Sequence, residues 1–546
     1  MQIECILKYK TLHMNKIGFK NFRRFIDFKP IEYKDITFLV GRNNSGKSTM
    51  VKALLLISDY LKSGNLKEFH FGNSVLEDAN IVTYSRALNN TALKRKEDYI
   101  WFNYQIDNYL LEISISGSPD KTCADVHQFL IRNKDENISI KIEPQISSIT
   151  VSEDITTKEE KTSNSQLQIL VNEIESLQFE LNKSDLKKSS KEYLEKVDKL
   201  NLLRSRRNML AHGFSDSDSN IENDEDSSII KEPADEYGTI ESFSITYEYG
   251  KEDTLIKIYE SFQIDSINKY FESRSDSNEY EKKEKINYRS FYQERLKIEA
   301  TIKEFLQKAQ EQTFIYLGAN PAKQSALFSI RDKNNALAQS IHDYYQLGID
   351  KMPASEAFLF VKKWMGSEFF EIGDKINIEL CAGEAYQVEI ESGGNKLPLA
   401  DKGMGSIQAM LLILRLACII HRNKINSIKP LVLIEEPELN LHPGLQSKLA
   451  DLFLEVNKEG IKLIVETHSE YILRKTQVIV AIDELEGTVN ENPFCVHYFP
   501  KDFMQQPYTL NYKDDGSFDK NFGEGFFDEA SASTLELLKI KRQKKL

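Results

Sequence analysis

Four short stretches set glycines or polar residues where apolar runs begin or end. The first is GRNNSGKST, residues 41–49, which follows the apolar run DITFLVG and leads into STMVKALLLISDYL. A G-x-x-x-x-G-K-[ST] pattern between a strand and a helix is built to hold phosphate. Backbone N–H groups of Asn43, Asn44, Ser45, Gly46, Lys47 and Ser48 can wrap an anion, and the helix N-terminus adds partial positive charge. Gly41 and Thr49 close the motif. Lys47 would reach the β- and γ-phosphates and the Ser48 hydroxyl would meet Mg²⁺, so ATP with Mg²⁺ is the expected cofactor. The second stretch, LVLIEEPELNLHP at 431–443, ends an apolar strand in two carboxylates. Neighbouring strand residues point in different directions, which sends Glu435 to the metal and Glu436 to an attacking water as general base. Two acids that merely end a strand at the surface are the alternative.

The third stretch, IKLIVETHSEYIL at 461–473, delivers His468 from another apolar strand, where its ring could contact the γ-phosphate. The fourth is ADKGMGSIQAMLLILRLACIIH at 400–421. Gly403 and Gly405 allow close backbone approach, Ser406 is expected to cap the helix that follows, and the exposed N–H groups form a second anion site. One chain with two phosphate-binding helix ends poses a geometric problem. It is solved if Gly405 and Ser406 serve the nucleotide of another subunit.

These groups need a frame to position them. Strand, loop and helix follow without a gap from 35 to 61, and two apolar strands flank PGLQSKLADLFLEVNKEG, the pattern of a parallel sheet with a crossover helix. NKIGFKNFRRFIDFKP reads as strand, turn and strand, and alternation between 99 and 151 predicts antiparallel strands. Leucines and isoleucines at 167–181 and 194–203 recur at helical spacing, predicting a helical hairpin, and Ile298, Ile302, Phe305 and Ala309 predict a further helix.

At 546 residues, with 40% hydrophobic and 28% charged side chains, the composition is that of a globular chain of several structural units. The run at 409–420 is shorter than a bilayer span and carries Arg415, so it is expected as a core helix and no membrane partner is expected. The first residues lack a signal-like apolar stretch, Met14 is an alternative start, and a cytoplasmic location is expected. Five scattered cysteines suggest neither disulfides nor a zinc site. The net charge of −13 argues against broad nucleic-acid coating, although the acids are concentrated at 215–228, which is expected to be disordered.

Phosphate loop, glycine-serine signature, paired acids with PELNLHP, and ETHS together resemble the ABC-type ATPase heads of the SMC and overcoming-lysogenization-defect group. The resemblance implies an α/β fold: an ABC-type head, with a parallel core sheet and an antiparallel lobe, carrying a helical, short coiled-coil insertion. The domains implied are 1–160, the first half of the head; 161–312, the insertion with an acidic linker near 215–237; 313–500, the second half; and 501–546, a tail. It also implies a head-to-tail homodimer, or a higher even oligomer, in which Gly405 and Ser406 close over the partner's ATP. The pattern departs from the family at Glu435, where aspartate is commoner, and at GMGSIQ, where a serine-glycine-glycine order is usual. No Asp-x-Asp nuclease pattern follows His468, since KDDGSFDK has adjacent aspartates. The chain thus looks like the ATPase subunits of Septu-type anti-phage defence, the PtuA group. Their implied partners are an HNH-type nuclease subunit (PtuB-like) in trans, and a retron reverse transcriptase with its RNA–DNA or other nucleic acid. The alternatives are an SMC-like DNA repair or recombination ATPase and a nucleotide-gated scaffold with negligible turnover.

Overall fold

The computed structural model describes residues 15–153, 242–246 and 300–540, apart from 64, 73–80, 96, 136–137, 146–147, 310, 320–321, 427–428, 488–491, 503–504, 524–535 and 538. Two compact units divide the chain: Met1–Glu136, Ile140–Ile149 and Ile245–Leu546 form the first, and Asn137–Ser139 with Thr150–Ser244 the second.

The first unit opens with the antiparallel pair β1 (Asn15–Phe22) and β2 (Phe25–Tyr33). Their phenylalanines form one cluster, Phe19 stacking on Phe28 at 4.3 Å and meeting Phe22 and Phe25 edge-on. β3 (Ile36–Gly41) is buried along its whole length and runs into the phosphate loop, from which α1 (Lys47–Ser63) leaves directly. Next come β4 (Glu68–His70), α2 (Tyr84–Ala87), α3 (Asn90–Lys94), β5 (Tyr99–Ile106), β6 (Tyr109–Ser116), β7 (Cys123–Asn133) and β8 (Ile138–Glu143). The sequence alternation is realised in β5, where Ile100, Phe102, Tyr104 and Ile106 are buried. Asp107, at φ 50°, and Asn108 make the two-residue turn into β6, as a hairpin needing left-handed backbone prefers. The antiparallel lobe runs β8-β7-β6-β5-β1-β2, with β4 beside β7.

β9 (Ser148–Glu153) and β10 (Ser242–Thr246) are sheet neighbours. The interval 161–312, expected to be helical, therefore contains a strand. SFSIT alternates apolar and polar residues with a period of two, which favours a strand. The expected hairpin at 167–203 and the acidic linker near 215–237 lie outside the described residues. Residues 300–309 are helical, and Ile302, Phe305 and Ala309 are buried as their spacing predicts.

The remaining elements are β11 (Phe314–Leu317), β12 (Phe328–Ser329), α4 (Ala336–Gln346), α5 (Glu356–Met365), β13 (Lys375–Cys381), β14 (Ala385–Ser392), β15 (Asn395–Pro398) and α6 (Met404–Asn426). They continue with β16 (Leu431–Glu435), α7 (Pro443–Gln446), α8 (Lys448–Lys458), β17 (Lys462–Thr467), α9 (Glu470–Glu486), β18 (Phe494–Phe499) and β19 (Tyr508–Leu510). The core sheet has the order β11-β16-β17-β3-β18-β19. Every pairing in it is parallel except that of β19. The expected parallel core with an antiparallel lobe is thus present. Helix α6 is long and apolar enough to cross a membrane, yet 72% of its most apolar window is buried, and Arg415 donates to Ser340 Oγ at 3.3 Å. It is the core helix that its sequence suggested. β19 lies in the stretch read as a tail and extends the core sheet at its edge.

Parallel strands all end at one edge, and ligands of such sheets sit beyond the carboxyl ends of the strands. β3, β16 and β17 end there together.

Candidate functional site

The phosphate loop carries the backbone that its sequence demands. Asn44 adopts φ 61° and Gly46 φ 100°, and a Cβ on Gly46 would lie 2.5 Å from the Phe25 ring. Lys47 is only 3% exposed. Its ammonium is held ready by the carbonyls of Gly41 at 3.0 Å and Arg42 at 3.1 Å. Burial pushes its pKa down, against the upward pull of Glu466, Glu436 and Glu438.

Glu435 closes β16 in register with Glu466 on the adjacent parallel strand β17. The sequence reading missed Glu466. Its Oε1 accepts from Ser48 Oγ at 3.0 Å and stands 3.7 Å from Lys47 Nζ. Burial, together with the charges of Glu435 and Glu436, raises its pKa to about 7 against the opposing pull of Lys47 and Ser48. Burial likewise raises Glu435, whose carboxylate is bonded by Tyr316 of β11. Glu435 Oε1 and Glu466 Oε2 are buried acceptors with no partner. These oxygens and the Ser48 hydroxyl are the hard donors that Mg²⁺ takes, usually from one or two carboxylates with substrate phosphates completing its shell. The donor set therefore fits the cation implied by the motif.

Glu436 is turned away from Glu435 by a left-handed backbone, φ 45°, and its N–H donates to the Glu466 carbonyl at 2.9 Å. Its Oε1 lies 3.8 Å from His468 Nε2. Burial and the nearby Lys47 pull the imidazole to about 4, so a neutral ring faces the carboxylate at pH 7. Glu438, also missed, accepts the His468 backbone N–H at 2.6 Å and ties the loop after β16 to the loop after β17.

Asn44 to Thr49 and Glu466 line a cavity of about 570 Å³ together with four cationic side chains, Arg23, Arg24, Lys52 and Arg86. The Arg23 amide donates to the Ala87 carbonyl at 2.6 Å, and Asn89 donates to the Arg23 carbonyl at 2.7 Å, so α2 and α3 hold the β1–β2 turn over the site. Burial lowers Arg23, with Arg86 adding to the effect, and burial lowers Arg24 and Lys52 as well. A polyanion would relieve that crowding of positive charge.

The fourth stretch lies elsewhere. Helix α6 begins at Met404, because the Gly403 carbonyl already accepts the Ile407 N–H at 3.2 Å. Ser406 thus sits inside the first turn and does not cap the helix. A Cβ on Gly405 would lie 2.9 Å from the Asn440 carbonyl, so α6 starts against the loop that follows Glu436. Neither Gly405 nor Ser406 lines the phosphate-loop cavity.

Residues 13–473 match the AAA ATPase domain family. A search among curated proteins finds no match. Similar solved structures include the Smc head domain of Pyrococcus furiosus, with an extended coiled coil bound to the C-terminal domain of ScpA; identity is 12%, covering 96% of this chain and 99% of that one, with a TM-score of 0.31. The Smc head domain of Pyrococcus yayanosii, with a coiled coil and joint, is 11% identical over 91% of this chain and 97% of that one, TM-score 0.34. The SMC head domain of Thermotoga maritima is 10% identical over 92% and 100%, TM-score 0.31.

Proposed function

This chain belongs to the AAA ATPase domain family, and from that premise we propose that it binds ATP with Mg²⁺ at residues 41–49 and hydrolyses it, with its activity completed across a head-to-tail dimer. The observation that carries this reading is the meeting of Lys47, Ser48, Glu435, Glu436, Glu466 and His468 at the ends of three parallel strands. Lys47 supplies the point charge for the β- and γ-phosphates. Mg²⁺, when bound, would offset phosphate charge and orient the leaving group. Glu436 accepts the proton of the attacking water, and the neutral His468 ring orients that carboxylate and hydrogen-bonds near the γ-phosphate. Gly405 and Ser406 complete the partner's site, a reading supported by their position outside their own chain's cavity.

At the finer level the ATPase governs an HNH-type nuclease in trans in anti-phage defence and acts in the cytoplasm. The motif set and its Septu-like resemblance support that assignment. Co-purification with an HNH protein encoded beside it, gained or lost on adding ATP, is the corresponding test.

Calorimetry with ATP and Mg²⁺ tests the core of the proposal. Lys47→Ala should abolish binding, since the remaining backbone donors act without their main charge. Glu436→Gln should bind normally and hydrolyse about 10²–10⁴-fold more slowly, because an amide cannot take the proton. Unchanged affinity in Lys47→Ala would remove the phosphate loop from the reading.

A further inference from the structure

Glu466 lies in the middle of the phosphate-binding machinery, yet neither the phosphate-loop motif nor the paired acids of β16 account for it. It is 5% exposed. One carboxylate oxygen accepts from Ser48 Oγ at 3.0 Å, and the other is buried without a partner. Strand register puts it beside Glu435, which also keeps one buried oxygen unpartnered. Lys47 stands 3.7 Å away but already donates to two backbone carbonyls. A side chain placed only to neutralise Lys47 needs neither the bond to Ser48 nor an oxygen left open beside Glu435.

We infer that Glu466 is a second carboxylate ligand of the divalent cation, so that two acids on adjacent strands and the Ser48 hydroxyl make up the protein's share of the metal shell. The inference rests on the ATPase reading above. It has a consequence for the order of binding. Without the cation, the ionised form of Glu466 opposes the incoming triphosphate within the same cavity, because like charges at short range repel. With the cation, the same oxygen becomes an attractive contact. Nucleotide binding is then coupled to the metal, and Glu466 is the residue that imposes the coupling.

The test compares ATP binding by wild type and Glu466→Gln, each in EDTA and in MgCl₂, by calorimetry, together with Mn²⁺ binding to the ADP complexes followed by EPR. Wild type should lose at least about 100-fold in ATP affinity without the metal. Glu466→Gln should lose less than about 10-fold, because the repulsion and the ligand disappear together. Its Mn²⁺ affinity should fall at least about 10-fold, the order seen when metal sites lose a supporting group. Glu466→Asp, which keeps the charge on a shorter arm, should retain the strong metal dependence, and it carries the comparison if the glutamine variant does not fold. Equal metal dependence and equal Mn²⁺ affinity in wild type and Glu466→Gln would overturn the assignment. A wild type that fails to bind ATP even with Mg²⁺ would instead overturn the ATPase reading itself.

Discussion

Two titrating side chains a few ångströms from the phosphate loop respond to pH with opposite signs. His468 has a folded pKa of about 4, below its ordinary 6.5. The unfolded chain therefore takes the proton first, and the stability this group contributes is complete above about pH 6.5 and lost as pH falls toward 4. Glu466 is raised to about 7 from 4.5, so its contribution is complete below about 4.5 and lost as pH rises through 7. Between those limits the two slopes oppose each other. Removing the histidine should unmask the other: His468→Gln should lose less melting temperature than wild type between pH 7 and pH 5. The imidazole resonance missing from that variant's NMR spectrum should belong to a ring that stays neutral to about pH 4 in wild type. A ring titrating near 6.5 would mean that water reaches the site freely in the nucleotide-free protein.

At the scale of elements, the tightest approach to the site is where β3 ends. Gly41 has φ 149°, and a Cβ there would meet the Phe499 carbonyl of β18 at 2.4 Å. Backbone cannot rotate away as a side chain can, so Gly41→Ala should cost on the order of 1–3 kcal/mol or more. Thermal melting should show a lower midpoint, with weaker binding of ATP–Mg²⁺ as the loop shifts; an unchanged melt would mean that β3 and β18 part easily. The elements also show what was legible in the sequence. Lys47, Ser48, Glu435 and Glu436 could be located because each sits in a local motif whose strand and helix adjoin it in the chain. Glu466 could not, although it stands two residues before His468: its meaning arises from β16–β17 register and from Ser48, 418 residues away in sequence. Arg23 and Arg86 were equally silent, since only the bonds from the β1–β2 turn to Ala87 and Asn89 bring them over the loop. Ser406 was misplaced by most of a turn because the sequence offered its hydroxyl as a cap while the Gly403 carbonyl had already opened the helix. β10 was hidden by the helical stripes on either side of it.

At the scale of the whole molecule, the start of α6 does not line its own chain's phosphate cavity, and the dimer reading gives it a use. Ser406→Arg would set a bulky cation against the partner's nucleotide while leaving its own Lys47 able to bind ATP. Neither Ser406→Arg nor Lys47→Ala alone should turn over ATP, but a mixture should regain activity, because one composite site then has both Lys47 and Ser406 intact. Normal hydrolysis by Ser406→Arg alone would exclude a signature acting in trans. The order of the core sheet carries a different implication, for the making of the protein. β3 lies between β17 and β18, both of which leave the ribosome long after it. At about 5–20 residues per second, the 418 residues from Ser48 to Glu466 take roughly 20–80 s to synthesise. Throughout that interval the nascent strand has two open edges and invites other chains to pair with it. A product halted before Lys462 would carry the complete phosphate motif without either of the strands that β3 pairs with, and cells making this protein should show it bound to chaperones until translation ends.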